Sequence, residues 1–489
     1  MILRDGASGV RGALLGVFVL IVLRAVVAAM TPLSFDEAYY WTWSQHLAAG
    51  YYDHPPAVAY VIGIGTALFG DTSLGVRFVP WLLSLAASWA VWRAGAMLLR
   101  DEAGAALAVL FFNLMPMIGV EALVATPDSP EIAAASFLLY ALAKIATTEK
   151  GIWWLATGVA AGFALLSKYT GFFLGLGILV WLVAVSKERR WFLSLWPYLG
   201  GAVALSMFVP VVLWNAQHSW ASFALQFGRV ENGGFTLRFL GEFIGGQIGL
   251  ATPFILALAL IGIASSVRGR AAGQQGLALA AAMIVPAMLY FMWHCLHDRV
   301  QGNWPSFLYP ALALAAAGAC RRAGRAPPWG LRVSRAAAIP VAAVLIAAVY
   351  AQALFDVVPI REPVSRLLAF NMAPVTRDLE NLRTQQQAQA IATTSYALAA
   401  WFRFYMPRDV PVVQLNERYR YLNEPPLDGT LFDKPFIYVT EVRNDQSALL
   451  KDRFSEIAPL ARIDRTRGGA VIDRYAIYRV SGPKGDPLD

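Results

Sequence analysis

The stretch SFDEAYYWTWSQHLAAGYYDHPP, Ser34–Pro56, decides how the rest of the chain is read. It follows an apolar run at residues 10–30 and contains no lysine or arginine. Asp36-Glu37 therefore stands where the chain leaves a run long enough to cross a bilayer. Carboxylates are costly there unless they face a polar cavity or a partner. The aromatic residues behind the pair, Trp41, Trp43, Tyr51 and Tyr52, are types that favour the headgroup level, so short interfacial helices are expected.

The composition around this stretch points to lipid as the main solvent. The 489 residues are 57% hydrophobic and 15% charged, with a mean hydropathy of +0.51. A soluble domain carries about 25% charged residues. Apolar runs recur at 10–30, 74–98, 103–124, 129–146, 152–167, 170–186, 193–214, 250–267, 276–294, 304–320 and 336–355. These predict a mainly α, polytopic transmembrane helical bundle of about 11 or more spans. The first run is too long for the apolar core of a signal peptide and lacks a small-residue cleavage site, so it is expected to be retained.

The net charge of +8 is distributed by topology. Arg4, Arg11, Arg93, Arg100, Lys144, Lys150, Lys187, Arg189, Arg190, Arg268, Arg270, Arg321, Arg322, Arg325, Arg332 and Arg335 fall on alternate connections. None lies in Thr31–Thr72 or Gly119–Ser129. This positive-inside pattern puts the N-terminus in the cytoplasm and residues 31–73 outside, with the C-terminal region on the outer side as well. The basic excess thus implies no nucleic-acid partner. Cys295 and Cys320 fall at opposite membrane faces, about 30 Å apart, which argues against a disulfide.

Residues 1–355 are read as a transmembrane catalytic domain with outer connections at 31–73, 215–249 and 295–303. The second is too polar to span, and Gly233-Gly234 reads as a turn between two amphipathic pieces. Residues 356–489 have the composition of a soluble domain. Strand-like runs at 391–395, 410–415, 435–441 and 470–480 alternate with segments such as ALAAWFRFYM, which predicts a small C-terminal α/β domain. There is no internal repeat, glycine-rich phosphate loop or metal motif of the C-x-x-C or H-E-x-x-H type.

Several residues are candidates for chemistry. A carboxylate at a lipid surface can take a proton from an acceptor hydroxyl or amine, the role considered for Asp36. Ser34-x-x-Glu37 fits a capping box, which accounts for Glu37 more readily than for Asp36, though both stand as catalytic candidates. In Tyr52-Asp53-His54-Pro55-Pro56 the prolines fix a turn that either aims Asp53 and His54 inward or simply precedes a helix. Asp128, in TPDSPE, either favours the helix start it opens or joins Asp36 as a second acid at the same level. Lys168, in LLSKYTGFF, either snorkels or binds a phosphate. Arg299, in HDRVQGNWP, is the second outer cation, with Gln301 and Asn303 as sugar hydrogen-bonders. Asp128 and Asp298 are equally open as ion-pair partners of these cations. Tyr40 and Tyr52 join Asp53 as substrate-binding candidates. All five histidines lie in or beside outer connections, and His294-x-x-His297-Asp298 would be the ligands if a metal were bound.

The order of these motifs (an acidic pair in the first outer loop, YYDHPP, TPDSP, LLSKYT, then HDRVQGNWP) resembles the GT-C membrane glycosyltransferases. Within them it is most similar to the bacterial branch related to protein O-mannosyltransferases and the lipid A aminoarabinose transferase. The resemblance implies a polyprenyl-phosphate-linked sugar as donor and inverting transfer on the periplasmic face of the bacterial inner membrane. Asp36 matches the catalytic acid of the first loop, Asp128 the second acid, and Lys168 the lysine near the donor phosphate. The family's Glu-Lys before one proline is Asp53-His54 before two prolines here, so His54 stands where an ammonium would hold phosphate more firmly. The resemblance implies no cofactor and no essential metal, and the C-terminal region is similar to the family's periplasmic domains in kind. Lipid A, lipopolysaccharide core, protein and other glycans are open as acceptors, and an acidic sugar such as galacturonic acid is one option for the donor. A flippase for a lipid-linked sugar and an oligosaccharide ligase or polymerase are the competing readings.

Overall fold

The apolar run before the acidic stretch folds as α1 (Ala7–Met30), because in lipid a helix satisfies every backbone group internally. The computed structural model describes residues 6–228, 234–266, 274–322, 327–357 and 364–485. Arg4, Arg268, Arg270 and Arg325 of the inner set, and Gly233 of the expected turn, lie outside the described residues. The connection at residues 31–73 holds α2 (Phe35–Ser44) and α3 (Ala57–Phe69). The bundle continues with α4 (Ser73–Leu99), α5 (Glu102–Leu114), α6 (Pro116–Glu121), α7 (Asp128–Thr148), α8 (Trp153–Ser167), α9 (Phe172–Ala184) and α10 (Leu195–Gln217). It is completed by α11 (Ala221–Gly228), α12 (Arg238–Ala251), α13 (Pro253–Ser266), α14 (Gln274–His294), α15 (Tyr309–Arg322) and α16 (Trp329–Phe355).

Each of the eleven apolar runs carries helix, but the described helices do not all reach across a bilayer. Six are long and apolar enough: α1, α4, α7, α10, the Gly276–His294 part of α14, and α16. The count rises to 8 if each of two bent pairs is one span. Those pairs are Tyr169–Ala184 with Ser186–Leu193, bent by 112°, and α12 with α13, bent by 101°. The apolar helices α3, α5 and α8 have only 13, 13 and 15 residues. At 1.5 Å per residue they reach roughly 20–23 Å, short of the roughly 30 Å core. The run at 103–124 is split because Met115, preceding Pro116, adopts an extended conformation that ends α5.

Two packing features position the site. At the crossing of α8 and α10, a Cβ on Gly158 would strike the backbone of Gly200, and one on Gly200 would strike that of Trp154. Glycine at both positions lets the helices approach closely, which places Lys168 at the end of α8. Deeper in the bundle the buried Arg24 of α1 donates to the Asn113 side chain at 2.7 Å, the Asn113 carbonyl at 2.6 Å and Tyr350 Oη at 3.1 Å. That arginine ties α1, α5 and α16 together in a setting where an unpaired cation would be strongly destabilising.

After α16 the described chain forms α17 (Val364–Leu367), α18 (Met372–Gln385) and α19 (Tyr396–Tyr405) around a five-stranded sheet. The strands are β1 (Ile391–Thr393), β2 (Val412–Gln414), β3 (Phe436–Glu441), β4 (Phe454–Arg467) and β5 (Ala470–Pro483), in the order β2-β1-β3-β5-β4. β1 is parallel to β2 and β3, whereas β5 is antiparallel to β3 and β4. This unit shares a core with α2: Leu33, Ala38 and Trp41 are buried in one cluster with Leu398, Trp401 and Ile437. Backbone contacts reinforce the junction. Ala369 N–H donates to the Leu33 carbonyl at 2.9 Å, and Leu33 N–H donates to Tyr405 Oη at 3.3 Å. The acidic stretch is thus gripped from both sides.

Candidate active site

Asp36 faces a cleft of about 690 Å³ between the helical bundle and the C-terminal unit. It sits in the first turn of α2, half-buried, and accepts a long hydrogen bond from Tyr396 Oη at 3.4 Å. Burial, followed by the negative charge of Asp53, pushes its pKa up to about 6. A carboxyl so placed is ionised at neutral pH yet a far better base than an ordinary aspartate.

Its neighbour Glu37 points the other way. The capping box is present, with Ser34 Oγ accepting from Glu37 N–H at 3.2 Å and Glu37 Oε2 accepting from Ser34 N–H at 2.9 Å. Glu37 also accepts from Arg77 Nε and Nη2, each at 2.6 Å, and from Ala125 N–H at 3.0 Å. Burial alone would raise this carboxyl, but the Arg77 guanidinium holds it below the ordinary glutamate value. Glu37 is fully buried and is not part of the cleft wall, so it stands apart from Asp36 as a structural anchor.

Asp53 and His54 do line the cleft, as does Tyr40, whose ring lies 6.2 Å from the His54 ring. Asp53 accepts from Tyr39 Oη at 2.8 Å, and Arg420 Nη1 donates to both of its oxygens at 3.0 Å. Asp128 opens α7 without capping it, because Pro127 occupies the N-cap. Instead it accepts from Lys168 Nζ at 2.9 Å, Ser306 Oγ at 2.7 Å and Asn303 Nδ2 at 3.0 Å. Lys168 ends α8 in an extended conformation, and both members of the pair are buried while still lining the cleft. The ion pair left open for this lysine is present, and the lysine lines the cleft as well.

Gln301, Asn303 and His294 complete the candidates that meet here. Arg299 does not: it is exposed and paired with Glu242 at 2.7 Å, away from the cleft wall. Tyr52 packs on Tyr419, with ring centroids 4.5 Å apart, just behind Arg420, and is likewise not part of the wall. His297 and Asp298 lie outside it too, Asp298 accepting from Arg299 N–H at 2.7 Å. Among the described residues no three His, Cys, Asp or Glu side chains are grouped so as to hold a metal ion.

Among the wall residues that escaped the sequence reading are Tyr39, Gln226, Tyr396 and Arg420. Arg420 and Tyr396 come from the C-terminal unit, in ERYRYLN and at the start of α19. The concentration of arginine and tyrosine in the first of these was the available signal.

The comparisons agree with this architecture. A family model described as dolichyl-phosphate-mannose-protein mannosyltransferase matches residues 53–214. ArnT from Cupriavidus metallidurans bound to undecaprenyl phosphate superposes with a TM-score of 0.65 at 16% identity, covering 97% of this chain and 98% of that one. The oligosaccharyltransferase of Archaeoglobus fulgidus superposes with a TM-score of 0.51 at 12% identity, covering 88% and 70%. The chain thus shares the fold of these two solved structures, and the segment matched by the family model, residues 53–214, is similar to the mannosyltransferases that model describes. More particularly, the chain is similar to two proteins of Rhizobium johnstonii. One is the lipid A galacturonosyltransferase RgtD, 25% identical over 284 residues, 58% of this chain and 59% of the relative. The other is the lipopolysaccharide core galacturonosyltransferase RgtA, 30% identical over 205 residues, 40% of this chain and 39% of the relative. The matches thus span 59% and 39% of the lengths of these curated relatives.

Proposed function

We propose that this multi-pass membrane protein is an inverting glycosyltransferase that moves one sugar from a polyprenyl-phosphate donor to a lipopolysaccharide acceptor on the periplasmic face of the inner membrane. In this reading the N-terminus is cytoplasmic, and the unit after residue 355 is periplasmic. The observation that carries the proposal is the placement of Asp36, a carboxyl raised to about 6, in one cleft with the cations Lys168 and Arg420.

Asp36 takes the proton of the acceptor hydroxyl as that oxygen attacks the anomeric carbon. The bond from that carbon to the phosphate oxygen breaks on the opposite face, and the polyprenyl phosphate leaves with the electron pair. Lys168, with His54 and His294 nearby on the wall, stabilises the charge that grows on the phosphate. Tyr40, Gln301 and Asn303 supply hydroxyl and amide groups for the sugar. No cofactor takes part. The activities named for the two Rhizobium relatives support a galacturonosyl donor and lipid A or the lipopolysaccharide core as acceptor.

The test uses purified protein in detergent with the polyprenyl-phosphate-linked sugar and lipid A. Wild type is expected to transfer without two compartments, which a flippase does not. Asp36→Asn is expected to abolish transfer while retaining donor-lipid binding. Turnover of that variant at the wild-type rate would overturn the assignment.

A further inference from the structure

Arg420 enters the cleft from the turn that follows β2, on a part of the chain remote from the bundle. It reaches Asp53 through Nη1, to both carboxylate oxygens at 3.0 Å, and is itself held by Glu417, which accepts from Nε at 2.6 Å. Its guanidinium lies 4.7 Å from the ring centre of Tyr396, whose hydroxyl donates to Asp36. Asp53 is fixed from three further directions. Tyr39 Oη donates to its carboxylate at 2.8 Å, Gln226 Nε2 donates to its carbonyl at 2.7 Å, and Pro55-Pro56 stiffen the chain behind it.

We propose that Arg420 is a positioning residue that keeps Asp36 ionised and competent as a base by neutralising Asp53, so that the C-terminal unit is a working part of the reaction centre. This rests on the reading of Asp36 as the general base. The groups facing Asp36 are the carboxylates of Asp53 and Glu37, the guanidinium of Arg420, and the hydroxyls of Tyr396 and Tyr40. Glu37 is matched by the buried Arg77, so its charge is compensated on the far side. That leaves Arg420, which Glu417 also holds, as the cation beside the two aspartates. With Arg420 in place the negative charge of Asp53 is offset; without it, that charge confronts Asp36 uncompensated in a partly dry cleft and Asp36 holds its proton more tightly. The tyrosine hydrogen bond to Asp36 is the longer, 3.4 Å against 2.8 Å at Asp53, so the Asp36 carboxylate is the less firmly held. The burial and Asp53 charge that already raise Asp36 act in the same direction.

The experiment is the pH profile of kcat/KM for the full-length protein with the lipid-linked sugar and lipid A. R420Q is expected to move the acidic limb up by about one pH unit, the scale of losing one nearby opposite charge, and to recover rate at alkaline pH. R420K should keep the limb in place. D53N, which removes the repulsion and leaves Arg420 facing Asp36, should move it down, and D53N/R420Q should return it towards wild type. An equal loss for R420Q at every pH, with the limb unmoved, would overturn the inference, because a docking defect scales the rate without shifting it. Should R420Q not fold, D53N decides alone, and an unmoved limb there overturns the inference as well. Retained turnover in Asp36→Asn would instead remove the base assignment, whatever Arg420 does.

Discussion

Lys168 and Asp128, forty positions apart, meet as a buried ion pair at 2.9 Å on the wall of the cleft. The pair is a structural clasp between α7 and the end of α8, and in the proposed reading its lysine also serves the donor phosphate. These roles separate experimentally, because removing one member leaves a buried charge whereas removing both does not. Lys168→Met should destabilise the protein by about 3–5 kcal/mol, the usual range for a broken buried pair, and abolish transfer. Asp128→Asn combined with Lys168→Met should recover much of that stability and none of the activity. Thermal unfolding in detergent, run beside the transfer assay, reads both; recovered transfer in the double variant would exclude Lys168 from donor binding.

Adjacent carboxylates in α2 should respond in opposite ways. Glu37→Ala strands the Arg77 guanidinium, itself only 2% exposed, with no carboxylate. A loss of about 3–5 kcal/mol is expected, visible as a large fall in Tm and in yield. Asp36→Asn removes a charge that faces Asp53 and has only a long hydrogen bond, so its Tm should equal or exceed that of wild type while transfer disappears. Equal Tm losses in the two variants would contradict the separation of anchor from base.

The reasons some of this was legible and some was not lie in sequence distance and in pattern. The capping box at Ser34 and Glu37 is local, so spacing reveals it. The apolar runs mark their helices, yet run length overstated the spans where Pro116 broke one and where bent pairs folded back. The 31–73 connection, where the aromatic residues led us to expect short helices, holds α2 and α3. β4 was missed as an edge strand rich in charge and interrupted by Pro459, which a buried-strand pattern does not capture. Arg24 meets Asn113 across 89 positions, and Arg420 meets Asp53 across 367. Neither pairing has a periodic trace. Such contacts depend on how helices cross and on how the C-terminal unit docks against α2.

With Asp36 as the proposed base, its protonation is expected to set the low-pH edge of activity. Its pKa is about 6, raised from the ordinary aspartate value of 3.8, so the base form is lost as pH falls through about 6. Transfer should therefore rise about tenfold per pH unit below that point and level off above it. The stability trend has the opposite sign. A carboxyl that binds protons more tightly when folded than when unfolded gains stability as pH falls from about 6 towards 3.8. A profile levelling off only near the lower value would mean that Asp36 is solvated in the working enzyme.

Arg299 offers the complementary test of where the cleft ends. It is exposed, pairs with Glu242 at 2.7 Å and lies over the ring of Phe239, 5.7 Å from its centre. Surface pairs of this kind contribute about 0–1 kcal/mol, so Arg299→Ala should change Tm little. Because Arg299 is absent from the wall that holds Lys168, its removal should also leave kcat and the KM for the lipid donor close to wild type. A marked rise in that KM with kcat unchanged would mean that the 295–303 connection swings inward when the donor binds, carrying Arg299 from Glu242 to the phosphate.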